Sequence, residues 1–240
     1  MRFSSAIILS AAFVLSAHPG LGQAQEPKAF LAVGKVSVDP AAGSVVHVSL
    51  KNIGSKTITA YAVLTSRAAK PTTEDFFDSI GVAEKFNLPK AQSSLGGIRP
   101  GEEHDLAIST PGGTAPTIEV TAVVFSDRTA VGDSAQVADI FSFRAGRAAE
   151  LERWCGTLTP DSVRLLGAQE MRAAVAAQIR AARAANVSET DPVRDGGAQL
   201  ERQGIIATLQ QAVDNGTILG RLSLLQARCA VATEHSRRVQ

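Results

Sequence analysis

Cys155 and Cys229 are the pair of side chains in this sequence with the plainest covalent chemistry between them. No Cys-x-x-Cys motif and no neighbouring histidine is present to lower a thiol pKa, which argues against redox work. Two cysteines that both fall in one small helical region predict one structural disulfide if the chain is exported, with two buried free thiols or a redox pair as the alternatives. Closing a loop of roughly 75 residues would stabilise the fold by about 4 kcal/mol in the chain-entropy treatment. The histidines offer less. His18 lies in a leading apolar segment, His235 in a tail expected to fray, and His47 on the outward side of an alternating strand. His104 sits in Glu102-Glu103-His104-Asp105, the one run with mixed metal-ligand chemistry. A metal site needs side chains that converge, whereas neighbours entering a strand point to opposite faces. Asp127, Asp133 and Asp139 could bind calcium weakly, but turn-forming aspartates explain them more simply. No nucleophile elbow or phosphate loop occurs. A triad assembled in space from His47 or His104, a carboxylate and a serine leaves a hydrolase as the second functional reading. No cofactor is implied.

The elements that would position these groups change character near Gly146. Before it, apolar residues alternate in short runs punctuated by Gly and Pro; after it, they recur at three- and four-residue steps. Phe30 to Val38 reads as a strand. Val46, Val48 and Leu50 then alternate with His47, Ser49 and Lys51, and the turn Asn52-Ile53-Gly54-Ser55 follows. Ile58, Ala60, Ala62 and Leu64 mark a third strand, Leu106 and Ile108 a further one, and Ile118 to Phe125 a central one. Ile140 to Arg144 is expected to close the sheet after a turn at Asp127 to Asp133. Residues 67–97 interrupt the pattern as an insertion carrying Phe76, Phe77, Ile80 and Phe86, with a short helix expected over Thr73 to Phe77.

Three segments carry a resemblance. They are Val46 to Tyr61, Arg99-Pro100-Gly101-Glu102, and Ala122 to Asp133. Residues 30–145 resemble a group of uncharacterised bacterial secreted proteins and, more distantly, the CARDB and fibronectin-III-like adhesion modules. The resemblance implies an antiparallel immunoglobulin-like β-sandwich and export, and it brings no catalytic residues. Members of the group often carry Gly after the aspartate of the Phe-x-Asp turn, where this chain has Arg128.

Beyond Gly146 the chain reads as helices. Arg147 to Cys155 is the first, with Trp154 expected to pack between helices and sheets. Thr159-Pro160-Asp161 starts a second that runs to about Ala185, with Met171, Val175, Ile179 and Ala182 on one face. Residues 186–197 are expected to be a loop containing Gly196-Gly197. Ile205, Leu209 and Ala212 line the next helix, which ends at Asn215-Gly216. In the last, Ile218, Leu222, Leu225, Cys229 and Ala232 share a face.

Met1 to Ala24 has the form of a cleavable export signal, with cleavage expected after Ala24 and Ala17 as the alternative. No later run approaches the ~20 apolar residues of a membrane span. Loss of Arg2 with the signal leaves 23 basic against 23 acidic side chains, without the basic stripe that nucleic-acid binding requires. The expected fold class is therefore α+β and multidomain: a signal at 1–24, an immunoglobulin-like sandwich over 28–145 and a helical unit over 146–240. The expected function is a non-enzymatic binding or structural role in the cell envelope, periplasmic or extracellular, with a protein partner. Phe76, Phe77, Asp127, Arg128 and Asp133 are the candidate partner contacts, and the Ala-rich helices could also support a homo-oligomer.

Overall fold

A computed structural model describes residues 26–38, 45–67, 70–78, 97–109, 116–185 and 191–239. The expected signal at 1–24 and residues 79–96 of the expected insertion lie outside the described residues. Among the described residues, seven strands form two antiparallel sheets: β1 (Leu31–Val38), β2 (Val45–Asn52), β3 (Ile58–Arg67), β4 (Lys70–Asp78), β5 (Glu103–Ser109), β6 (Thr117–Phe125) and β7 (Ala130–Gly132). One sheet has the order β1-β2-β5 and the other β4-β3-β6-β7. Five helices follow: α1 (Ser134–Thr157), α2 (Pro160–Arg164), α3 (Ala168–Ala184), α4 (Pro192–Asn215) and α5 (Ile218–His235). The architecture is mixed α and β, with the sheets first and the helices after.

Alternation in β2 works as its sequence requires, with Val46, Val48, Leu50 and Asn52 buried. Val46, Val48 and Leu50, with Leu31, meet Tyr61, Val63, Val120, Val123 and Phe125 of the other sheet in one buried cluster. Strand β3 is covered on both faces. Tyr61 and Val63 enter that cluster, while Ala60 and Ala62 join Ala122 and Val124 beneath Val137, Ile140 and Phe141 of α1. Small residues on this second face let the helix sit close to the sheet. A register irregularity between Ile58 and Ala60 returns Ile58 to the inter-sheet side.

Four expectations are corrected here. Ile140–Arg144 is helix, not a closing strand: Asp133 accepts from the amides of Ala135 and Gln136 at 2.9 and 3.0 Å and starts α1. Five mostly apolar residues are too few to separate a strand from a buried helical turn. The change of period at Gly146 therefore falls inside α1, which begins twelve residues earlier. Thr73–Phe77 is strand, because β4 pairs along β3 from Arg67↔Lys70 to Ala60↔Asp78. Pro71 is tolerated there since β4 is an edge. The helix expected from Pro160 to Ala185 breaks at 165–167 into α2 and α3. Gly196 and Gly197 lie within α4, which Asp191 caps by accepting from Val193 and Arg194.

At Gly197, and at Gly146 facing it, the reason for glycine is contact. A Cβ at Gly146 would stand 1.9 Å from the Arg194 carbonyl oxygen, and one at Gly197 would stand 2.1 Å from that of Phe143. Helices α1 and α4 thus cross backbone against backbone. Around the crossing, Leu151, Trp154, Val175, Ile179, Ile205, Leu209, Leu222 and Leu225 form the helical core. Trp154 belongs to this core and does not bridge to the sheets.

Candidate functional site

The apolar stripe of α1 runs Val137, Ile140, Phe141, Ala148, Leu151, and Arg144 stands in the middle of it. Its guanidinium is 2 % exposed and lies where α1 leaves the sheet. Nε and Nη2 both donate to Asp78 Oδ1 of β4, at 3.2 and 2.9 Å. Nη2 also donates to the Thr59 hydroxyl of β3 at 3.1 Å. One turn on, Arg147 reaches Asp78 Oδ2 at 3.5 Å and Glu201 Oε2 of α4 at 2.8 Å. Glu201 Oε1 then accepts from Arg228 of α5 at 2.7 Å. A continuous chain of charge-assisted bonds therefore joins β3, β4, α1, α4 and α5, with three guanidiniums shared by two buried carboxylates. Bonds of this kind hold geometry rather than add much net stability.

A second knot is built on Glu150, again within α1. Arg202 holds both of its oxygens at 3.0 Å, the Trp154 indole donates to Oε1 at 2.8 Å, and Arg153 donates to the same oxygen. Burial pushes the Glu150 carboxyl upward, but those donors outweigh it and hold the acid below the ordinary carboxylate range. Arg202 also reaches the Ala185 carbonyl at 2.6 Å. Both knots are missing from the sequence reading. Their signal is a charged residue at a core position of a helical stripe: Arg144 among Ile140, Phe141 and Ala148, or Glu201 among Ala198, Ile205 and Leu209.

The outward face of β2 and β5 carries the other polar cluster. His47 Nδ1 is 3.0 Å from Asp105 Oδ2, and the Ser49 hydroxyl donates to Glu103 at 3.2 Å. A histidine held by a carboxylate beside a serine has the composition of a hydrolytic triad. The hydroxyl, however, is directed to Glu103, and β2 is paired on both sides, so its amides are spent in the ladder. His104 lies on the opposite face, its ring 6.0 Å from that of Tyr61. Burial lowers the His104 pKa against the opposing pull of Asp105. The two candidate histidines therefore cannot share a site.

The structure places the remaining predicted residues as follows. Cys155 and Cys229 form the disulfide, tying α1 to α5 with Cα atoms 6.8 Å apart. Phe76 and Phe77 lie in β4, opposite Ala62 and Tyr61, rather than in a helix or loop. Asp127 accepts from Lys56 at 2.6 Å and from the Thr129 amide at 3.1 Å. Burial works to raise its pKa, but the bonds from Lys56 and Thr129 prevail and draw it down to about 2. Arg128 takes a left-handed backbone, φ 68°, and donates to the Glu234 carbonyl of α5 at 3.2 Å. Asp133 caps α1. Since β4 and β7 are opposite edges of one sheet, the two groups of proposed contact residues do not form a single surface. His235, expected in a frayed tail, is instead 7 % exposed at the end of α5.

A cavity of about 240 Å³ opens between the start of α3 and the α4–α5 turn, lined by Met171, Arg172, Thr217 and Ile218 among others. It is smaller than usual for a small-molecule site. Among the described residues no three His, Cys, Asp or Glu side chains gather as a metal-ligand set. No described helix is long and apolar enough to cross a membrane. In comparison with known proteins, the chain matches no family model, no curated protein sequence and no solved structure.

Proposed function

We propose that this chain is an exported, non-enzymatic binding or envelope-structural protein, with an immunoglobulin-like sheet unit braced by its helices. The observation that carries the reading is the Cys155–Cys229 disulfide across the first and last long helices, a bond that persists in oxidising compartments. Two further features support it. The strongest buried charges are committed to one another as ties between elements. Arg128 adopts the left-handed backbone at the turn position where the resembling secreted proteins carry glycine, in keeping with an adhesion-type sheet unit. A hydrolase is the weaker reading, because Ser49 is bonded to Glu103 and not to the His47 imidazole.

One experiment addresses both readings. Full-length protein is expressed in a bacterial host, the cells are fractionated, and the protein's N-terminus is sequenced. The reading expects recovery outside the cytoplasm, starting at Gln25. The recovered protein is then used to capture envelope partners, with and without replacement of residues 81–94 by a Gly/Ser linker. Loss of a specific partner supports the insertion as contact surface, while equal recovery removes it. Turnover of ester or peptide substrates that disappears in His47→Ala would overturn the non-enzymatic reading.

A further inference from the structure

We propose that His235 is an acid-sensitive latch, holding the C-terminal turn of α5 against the sheet–helix junction only while its imidazole is neutral. His235 is the last residue of α5, buried, and its Nδ1 has no hydrogen-bond partner among the described residues. The same is true of Nη1 of Arg144, the buried guanidinium of the junction. The neighbouring residue's carbonyl, Glu234 O, is pinned by Arg128 from the β6–β7 turn. The end of α5 is thus tied down by Arg128 at its backbone and by the Thr233 hydroxyl, which donates to Glu152 of α1 at 2.8 Å, with the His235 imidazole beside them.

The charges around that ring decide the sign. Arg144 from α1 and Arg128 from the turn between β6 and β7 both oppose its protonation, after burial itself, which is the largest influence. Glu234 on its own helix and Asp78 from β4 favour the proton. Glu234 is exposed and screened, and Asp78 already serves Arg144 and Arg147. A proton on His235 would place another cation beside the Arg144 and Arg128 guanidiniums, in a buried setting that disfavours charge. The docked ring is therefore harder to protonate than a free one. Above the ordinary histidine pKa of 6.5 both docked and released forms are neutral and docking has its full strength. As pH falls below that value the released form takes the proton first, and docking is lost as pH passes the lowered value of the docked ring. Lifting the last turn of α5 would break the Arg128–Glu234 bond and bare the Arg144–Asp78 pair.

The test uses the full-length, disulfide-bonded protein. Amide hydrogen exchange over residues 229–236 is compared at pH 8 and pH 5, corrected for intrinsic exchange, alongside an NMR titration of the His235 ring. Protection of these amides is expected to fall several-fold on acidification. The ring should titrate below an ordinary histidine. In His235→Gln the protection should survive and its pH dependence vanish. An equal fall in His235→Gln, such as His104 could cause, would overturn the latch. So would constant protection in the unaltered protein, or a ring that titrates at or above 6.5. The last two results come from the unaltered chain and decide the matter even if the variant fails to fold.

Discussion

Arg128 shows how a single position carries two opposed demands. Its left-handed backbone favours glycine, while its guanidinium reaches the Glu234 carbonyl. Arg128→Ala loses the bond and keeps the backbone cost, whereas Arg128→Gly loses the bond and relieves the cost. The glycine variant should be more stable than the alanine variant by about 1 kcal/mol in urea unfolding. Asp78 lies at the other extreme of burial. Removing it as Asp78→Ala leaves Arg144 and Arg147 without their shared acceptor, which should cost about 3–5 kcal/mol by the same measurement. Adding Arg144→Met should recover part of that loss, because the uncompensated buried cation goes with it. Asp127 is a milder case. Its bonds stabilise the fold above the ordinary carboxyl pKa of 3.8, and this is lost as pH falls through about 2. Lys56→Ala should move that titration upward in a carboxyl NMR experiment, with a stability change under about 1 kcal/mol because the pair is half exposed.

At the scale of elements, α1 is the member on which the others depend. Its first turns cover the sheet, its middle carries Arg144 and Arg147, and its end holds Glu150, Trp154 and Cys155. The α1–α4 crossing admits no side chain at its closest points. Gly146→Ala should drive the helices apart and cost about 3 kcal/mol or more, read as a lowered unfolding midpoint. The disulfide closes a separation of 74 residues, and a reductant should lower stability by about 4 kcal/mol. Without reductant, a thiol-alkylating reagent should modify neither cysteine. These elements were unequally legible. The disulfide and the faces of α3 and α5 follow from cysteine placement and helical spacing alone. The start of α1 did not, because Ile140 to Arg144 is a short apolar run that suits a strand equally well, and only the Asp133 cap, read with Val137, Arg144 and Ala148 beyond, restores the helical step. Thr73 to Phe77 suggests a helix because this Thr- and acid-rich run carries no β pattern of its own, and pairing with β3 overrides it.

For the whole molecule, the sheets and the helical core are joined by an uninterrupted helix and a buried line of ion pairs. A single cooperative transition should follow, with Trp154 fluorescence from the helical core and far-ultraviolet circular dichroism from the whole chain giving the same midpoint. Two separated midpoints would show that the junction does not couple the parts. Local pattern sufficed for much else: an α+β chain with strands before helices, the buried side of β2, the paired cysteines, and the glycine that ends α4. Those features depend on near neighbours in sequence, on a period of two or of 3.6, and on turn residues with strong backbone preferences. Only the tertiary structure decided that Arg144 would meet Asp78, that Glu201 would bridge Arg147 and Arg228, and that His235 would be enclosed. A charged side chain is buried only where a partner distant in sequence arrives to compensate it, and which partner arrives is determined by how the helices cross and the sheets stack.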